Sequence, residues 1–133
     1  MGTTTGEKII TGQQVFMKFT SLKPFVPSGS NFEGSKQLFQ ELGFSMVWDA
    51  GDYVGFERDG CGFILQKYDN KAFAENFMLS VGVDDVEIFR KELIEKQLPE
   101  KYGIRIGQVT QQSYGKEVNI IDMAGVCWHF VQS

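Results

Sequence analysis

The only histidine, His129, stands two residues after Cys127 in Cys127-Trp128-His129. A thiol beside an imidazole could make a nucleophile and its base, and a histidine alone could act as a general base. The rest of that equipment is not marked. No oxyanion-hole motif accompanies the pair, and no partner for His129 stands out. A satisfied histidine in a cavity wall is the commoner use. Cys61 and Cys127 are far apart and match no zinc spacing or Cys-x-x-Cys pair. Asp84-Asp85 reads as a helix cap, and Glu92 to Lys96 as a solvated helix face. Gly103 to Gly107 lacks the helix-opening pattern of a phosphate loop. No catalytic residue is therefore assigned.

The stretch holding the pair predicts two strands joined by a tight turn at Asp122 to Gly125. Asp122 can bond its own backbone, and Gly125 can take positive φ at no steric cost. After the turn the residues alternate. Val126, Trp128 and Phe130 form a packing face, and Cys127, His129 and Val131 face the other way, where they could line a pocket.

The preceding chain supplies similar units. Phe19 to Val26 predicts a strand, demoted by Pro24 to an edge, with a turn at Pro27-Ser28-Gly29. Ser30 or Asn31 caps a helix to Leu42 that buries Phe32, Ser35, Leu38, Phe39 and Leu42, and Gly43 stops it. Three strands follow, at Phe44 to Trp48, Tyr53 to Arg58 and Gly62 to Tyr68. Asp69 to Asn76 reads as a polar connection. Then the order repeats: a strand at Phe77 to Val83, a helix from Asp84 or Asp85 through Gln97 closed by Pro99, and strands at Ile104 to Gln111, Glu117 to Ile121 and Val126 to Val131. On the Phe77 strand, Leu79, Val81 and Val83 go to the helix side, leaving Met78, Ser80 and Gly82 on the other. The fold class is α+β, with two tandem βαβββ modules, 19–68 and 77–132, in one domain spanning 19–133. Residues 1–18 read as a tail, or as an arm that lies on a partner.

Composition narrows the class. The 133 residues suit one domain, and twelve phenylalanines fit an aromatic-rich core or an aromatic-lined cavity, the core being commoner. Net charge is −4 with no basic stripe, which argues against nucleic acid as a partner. Two unpaired-looking cysteines and no signal or membrane-spanning run lead to a cytoplasmic expectation, with no membrane partner.

Two βαβββ units, the Leu42-Gly43-Phe44 helix exit and the Asp122-x-Ala124-Gly125-x-Cys127-x-His129-Phe130 hairpin resemble the glyoxalase/bleomycin-resistance/extradiol-dioxygenase (vicinal oxygen chelate) superfamily. Within it the chain is most similar to the bleomycin-resistance proteins. The family's strand-one proline falls on Pro24, and its aromatic-x-Gly-x-x-Arg-Asp stretch on Tyr53 to Asp59. Its aromatic-Gly-basic-Glu strand start falls on Tyr114-Gly115-Lys116-Glu117. Family enzymes hold a divalent metal at positions that correspond here to Lys23, the Ile64 to Gln66 strand, Met78 and His129. A lysine, a thioether and at best one weak amide oxygen are poor donors for a hard ion, so neither metal nor cofactor is expected.

The resemblance implies instead a homodimer, with the first strand exchanged at the proline, that sequesters a large cationic drug in interface grooves. Carried over residue by residue, Trp48, Tyr53 and Tyr114 would stack on the ligand, and Gln66, Ser80 and His129 would make polar contacts. Lys23 would sit at the floor or rim. The family's tryptophans after the linker become Ser80 and Gly82 here, so the groove would have a different shape. The expected function is non-enzymatic binding of a drug-like, cationic aromatic molecule. The competing readings are an enzyme, either a metal-dependent glyoxalase-like lyase or dioxygenase or a metal-free variant using His129, and a ligand-free dimer.

Overall fold

A computed structural model describes residues 9–11 and 14–133, with side chains from Phe16 onward. The elements run β1 (Ile9–Thr11), β2 (Gln14–Phe16), β3 (Phe25–Pro27), α1 (Phe32–Glu41), β4 (Ser45–Asp49), β5 (Tyr53–Arg58), β6 (Cys61–Gln66), α2 (Lys71–Glu75), β7 (Met78–Gly82), α3 (Val86–Glu95), α4 (Leu98–Tyr102), β8 (Arg105–Ile106), β9 (Thr110–Gln112), β10 (Gly115–Ile121) and β11 (Cys127–Gln132). Each module builds its own sheet. The first has the order β3-β6-β5-β4, the second β7-β11-β10-β8 with β9 also on β10. In both, the strand before the helix (β3, β7) pairs parallel with the last strand of its module.

The helices start where side chains can take over orphan backbone donors. Asn31 accepts from Gly34 N, and Asp85 accepts from Glu87 N and Ile88 N. Helix α1 buries Ser35, Leu38 and Phe39, and α3 buries Val86, Phe89 and Leu93. The core is largely aromatic. Phe39 of α1 lies 4.8 Å from Phe63 of β6, and Phe63 lies 5.3 Å from Trp128 of β11, centroid to centroid. Six of the phenylalanines, 39, 44, 56, 63, 89 and 130, are buried there. The inner faces of the two sheets therefore meet at Phe63 and Trp128, and their outer faces are turned away from that seam.

Several boundaries differ from the sequence reading. The Phe19 to Val26 strand is only Phe25–Pro27, because Pro24 removes a ladder donor, though its carbonyl still accepts from Ile64 N. Asp69 to Asn76 holds helix α2, capped by Asn70. The helix expected through Gln97 ends at Glu95, and Gln97 turns into the left-handed region (φ 59°). Pro99 then sits in the first turn of α4, where its missing N–H costs nothing, rather than closing a helix. The Ile104 to Gln111 strand is two short pieces, β8 and β9, both on β10. In the segment read as a tail or arm, Ile9–Thr11 pairs antiparallel with Gln14–Phe16, while residues 1–8 lie outside the described part.

The Asp122 turn is as expected. Gly125 takes φ 106°, and one carboxylate oxygen of Asp122 accepts from the backbone N–H groups of Ala124, Gly125 and Val126 at 3.0–3.1 Å. The other accepts from the Trp128 indole at 2.9 Å. One buried side chain thus holds both the hairpin and the tryptophan of the central seam.

Candidate functional site

The outer face of the second sheet is set by register. Across it, Ile121, Cys127 and Met78 form one row; Asn119, His129 and Ser80 the next; Glu117, Val131 and Gly82 the third. The expected partition of β7 holds: Leu79 and Val81 are half-buried, and Met78, Ser80 and Gly82 are exposed. His129 Nδ1 reaches diagonally to Glu117 Oε2 at 2.5 Å. The Tyr114 hydroxyl donates to the other oxygen of Glu117. His129 Nε2 points the other way, 3.4 Å from Cys127 Sγ and 3.3 Å from Met78 Sδ. Ser80, Tyr114, Glu117, His129 and Val131 line an open hollow of about 310 Å³.

Glu117 is the residue the sequence reading did not single out. It is only 4% exposed, yet it faces the hollow. The hydrogen bond from Tyr114 first, and that from His129 second, hold its carboxyl below its ordinary value of 4.5. The same bond raises the Tyr114 phenol. Because folding depresses this pKa, its stabilising contribution is present above the unfolded value and is lost as pH falls through the folded one. The difference in melting temperature between the wild type and Glu117→Gln should be largest near neutrality and shrink through the acid range. Melting curves from pH 7 down to about pH 3 check this; a constant difference would contradict it.

The outer face of the first sheet carries the other expected residues. Tyr53 lies opposite Gln66 on β6, and Trp48 opposite Gly55, with a bulge at Val47. The Trp48 ring lies directly on Gly55: a Cβ there would sit 2.2 Å from the indole nitrogen. The glycine of the Tyr53-x-Gly55 stretch is thus the floor on which the tryptophan lies. Phe25 packs edge-on to Tyr53 at 5.9 Å. Lys23 pairs with Glu57 beside Gly62, so its ammonium is engaged within the sheet. Gly55→Ala should displace Trp48 and shift its fluorescence, leaving stability within about 1 kcal/mol because alanine suits a strand at least as well as glycine. An unchanged emission spectrum would show that the ring does not rest there.

The seven expected residues therefore fall into two sets. Ser80, Tyr114 and His129 meet on one sheet; Trp48, Tyr53, Gln66 and Lys23 share the outer face of the other. Among the described residues, no hydrogen bond or ring contact joins the sets. A larger cavity, about 540 Å³, lies elsewhere, between Leu42, Phe44 and the Arg58 to Cys61 turn on one side and α3 on the other. None of the seven lines it. Its one guanidinium, Arg58, donates to the carbonyl of Leu42 at 2.7 Å. With its cation turned onto the backbone and Asp59, Asp84, Asp85 and Glu92 at its walls, it offers no set of convergent polar groups such as the smaller hollow has.

The divalent metal that the resemblance implies does not fit these residues. Lys23 is an ammonium paired with a carboxylate, Met78 offers a thioether, and His129 is a lone imidazole, so the four positions do not supply the donors a hard divalent ion needs. Among the described residues, no three His, Cys, Asp or Glu side chains are grouped to hold an ion, and no helix is long and apolar enough to cross a membrane.

No family model matches the chain, and no curated protein matches it by sequence. Solved structures do match. A bleomycin-binding protein from bleomycin-producing Streptomyces verticillus, complexed with copper(II)-bleomycin, is 19% identical, with a TM-score of 0.72 over 89% of this chain and 99% of that one. An antibiotic-binding protein from Streptomyces sp. CB03234 is 15% identical, with a TM-score of 0.68 over 88% and 98%. A glyoxalase/bleomycin resistance protein from the same source is 18% identical, with a TM-score of 0.63 over 84% and 100%. The chain shares the fold of these solved structures, as the tandem βαβββ reading expects.

Proposed function

We propose that this protein sequesters a planar aromatic cation of drug-like size, without chemical conversion, in grooves formed where two copies of the chain meet. Such binding would confer resistance to a compound of that class. Glu117 is the observation that carries the reading. A nearly buried carboxylate, kept ionised by Tyr114 and His129, faces an open hollow and can attract a cation that the surrounding surface leaves solvated.

Two copies are needed for a geometric reason. The hollow covers only one side of a ligand, whereas a binding site normally surrounds most of it. The aromatic rings that could cover the other side, Trp48 and Tyr53, lie on the outer face of the other sheet, turned away in the same chain. A two-fold pair brings the first sheet of one protomer over the second sheet of its partner, twice. Phe19 and Leu22, 90% and 93% exposed just before β3, suit an arm that crosses to the partner and permits exchange of the first strand. Each stacked ring would add about 0.5–1.5 kcal/mol beyond area burial. Fold neighbours whose names state that they bind bleomycin or an antibiotic support the ligand class.

The test is a thermal-shift screen with bleomycin, planar aromatic cations such as ethidium, and glutathione-like thiols. A ligand that binds only the native state raises the melting temperature by mass action. Stabilisation by the aromatic cations and not by the thiols is expected; stabilisation by glutathione-like compounds alone would move the protein to the glyoxalase-like reading, and no shift at all to an empty scaffold.

A further inference from the structure

Around His129 the donors are arranged in a way that the ligand reading does not use. Three side chains meet on one face of the second sheet. Cys127 and Met78 are direct neighbours across the parallel β11–β7 ladder, and His129 is one row along. His129 Nε2 lies 3.4 Å from Cys127 Sγ and 3.3 Å from Met78 Sδ. On its other side, Nδ1 is held by Glu117 Oε2 at 2.5 Å. With Nδ1 turned to the carboxylate, Nε2 is the ring nitrogen facing the two sulfurs, and it is the one that would coordinate an ion held among them. A carboxylate behind an imidazole is also the usual way proteins orient and strengthen a histidine that ligates a metal.

We propose that Met78, Cys127 and His129 form a three-donor site for a soft monovalent ion, Cu(I) or its analogue Ag(I). The spacing suits an ion. With metal–nitrogen and metal–sulfur bonds of about 2.0 and 2.3 Å and angles of about 100–120°, nitrogen and sulfur donors sharing one ion lie roughly 3.3–3.7 Å apart. Thiolate, thioether and imidazole together select a soft ion; a hard divalent one would find one nitrogen and two sulfurs, one of them neutral. Met78 and His129 stand at two of the positions the superfamily uses for its metal, but Cys127 does not, and with no donor from the first module the set is a soft one on a single sheet. Met78 is exposed and flexible, so the ion has a way in.

The same residues have the types of a nucleophile, base and orienting carboxylate, but their surroundings argue against that use. Burial first, and then the charges of Glu117 and Asp122, push the Cys127 thiol up, the reverse of an activated cysteine. An ion would have to displace that proton. As the metal–sulfur bond forms, Cys127 releases its proton to solvent, so affinity should rise with pH. The proposal is independent of the organic-ligand reading, since it requires neither a second chain nor an aromatic guest.

The experiment is an anaerobic Cu(I) titration of the full chain in competition with bicinchoninate, run in parallel on Cys61→Ser to remove the exposed second thiol. One tightly held ion per chain is expected in both proteins. Met78→Leu, an isosteric change at an exposed position that puts folding at little risk, should weaken binding roughly tenfold. Glu117→Gln should weaken it roughly 10–100-fold through the imidazole it orients. Excess Zn(II) should not displace the ion. The proposal is overturned if Cys61→Ser abolishes binding, if Met78→Leu binds as tightly as the wild type (an ion held by a lone thiol), or if Zn(II) competes on equal terms.

Discussion

Asp122→Ala should destabilise the fold by about 3–5 kcal/mol, the largest loss expected from any single polar side chain here. Asp122 is buried and accepts four hydrogen bonds, three from the Ala124 to Val126 backbone and one from the Trp128 indole. Removing it strands the buried donors of Val126 and Trp128, each at about 1–3 kcal/mol, and frees the turn that fixes the register of β10 on β11. Trp128 is also the ring through which the second sheet meets Phe39 and Phe63, so the damage reaches the seam between modules. Asp122→Asn should cost less. Burial already pushes this carboxyl above its ordinary range, so losing the charge removes a desolvation burden while an acceptor oxygen remains. Urea unfolding of the two variants checks the order. Equal stability of wild type and Asp122→Ala would mean that the turn does not hold the core together.

Glu117→Gln should reduce affinity for a planar aromatic cation by at least 30-fold while leaving affinity for an uncharged aromatic of the same shape nearly unchanged. Loss of one member of a desolvated charge pair costs about 2 kcal/mol or more, and each 1.4 kcal/mol is about tenfold in the dissociation constant. The glutamine can still accept from Tyr114 and retains the shape of the hollow, so a loss confined to the cationic ligand isolates the charge. Calorimetric titration with ethidium and a neutral polycyclic analogue makes the comparison. Equal losses for both ligands would assign Glu117 a packing role; no loss for either would remove it from the site.

Much of the architecture was legible because it rests on local signals. One residue of each candidate cap pair, Asn31 rather than Ser30 and Asp85 rather than Asp84, caps its helix, and the Asp122 to Gly125 turn and the alternation of β7 and β11 follow from residue type and period and are present. The misplaced boundaries are positions where one residue carries two meanings. Pro99 ends a helix in one context and begins one in another, and only the left-handed turn at Gln97 decides between them. Asn70 looked like a loop residue because a five-residue helix has too short a period to detect.

The site was half legible. Alternation places His129 and Ser80 on one face, whereas Trp48 and Tyr53 came only from the resemblance, and that Trp48 lies on Gly55 is visible only in the structure. Alternation along β10 also puts Glu117 with Asn119 and Ile121 on the outer face, which was a usable signal. What it cannot give is that Glu117 is nearly buried, because that depends on Tyr114 and His129 closing over it from other rows. Nor could spacing reveal that Trp48 and Tyr53 belong to a different outer face from Tyr114 and His129. That follows from which faces meet at Phe63 and Trp128, a packing choice between distant segments.

The account depends on a groove whose two walls come from different chains, and complementation between subunits tests it most directly. Trp48→Ala removes one wall and Glu117→Gln the other, so each homodimer should bind ethidium weakly. If the walls come from two protomers, a refolded equimolar mixture contains heterodimers in which one groove carries both substitutions and the other neither, restoring about a quarter of all grooves to wild-type affinity. If both walls belong to one chain, every groove in the mixture remains defective, and the absence of any tight-binding fraction would contradict the account.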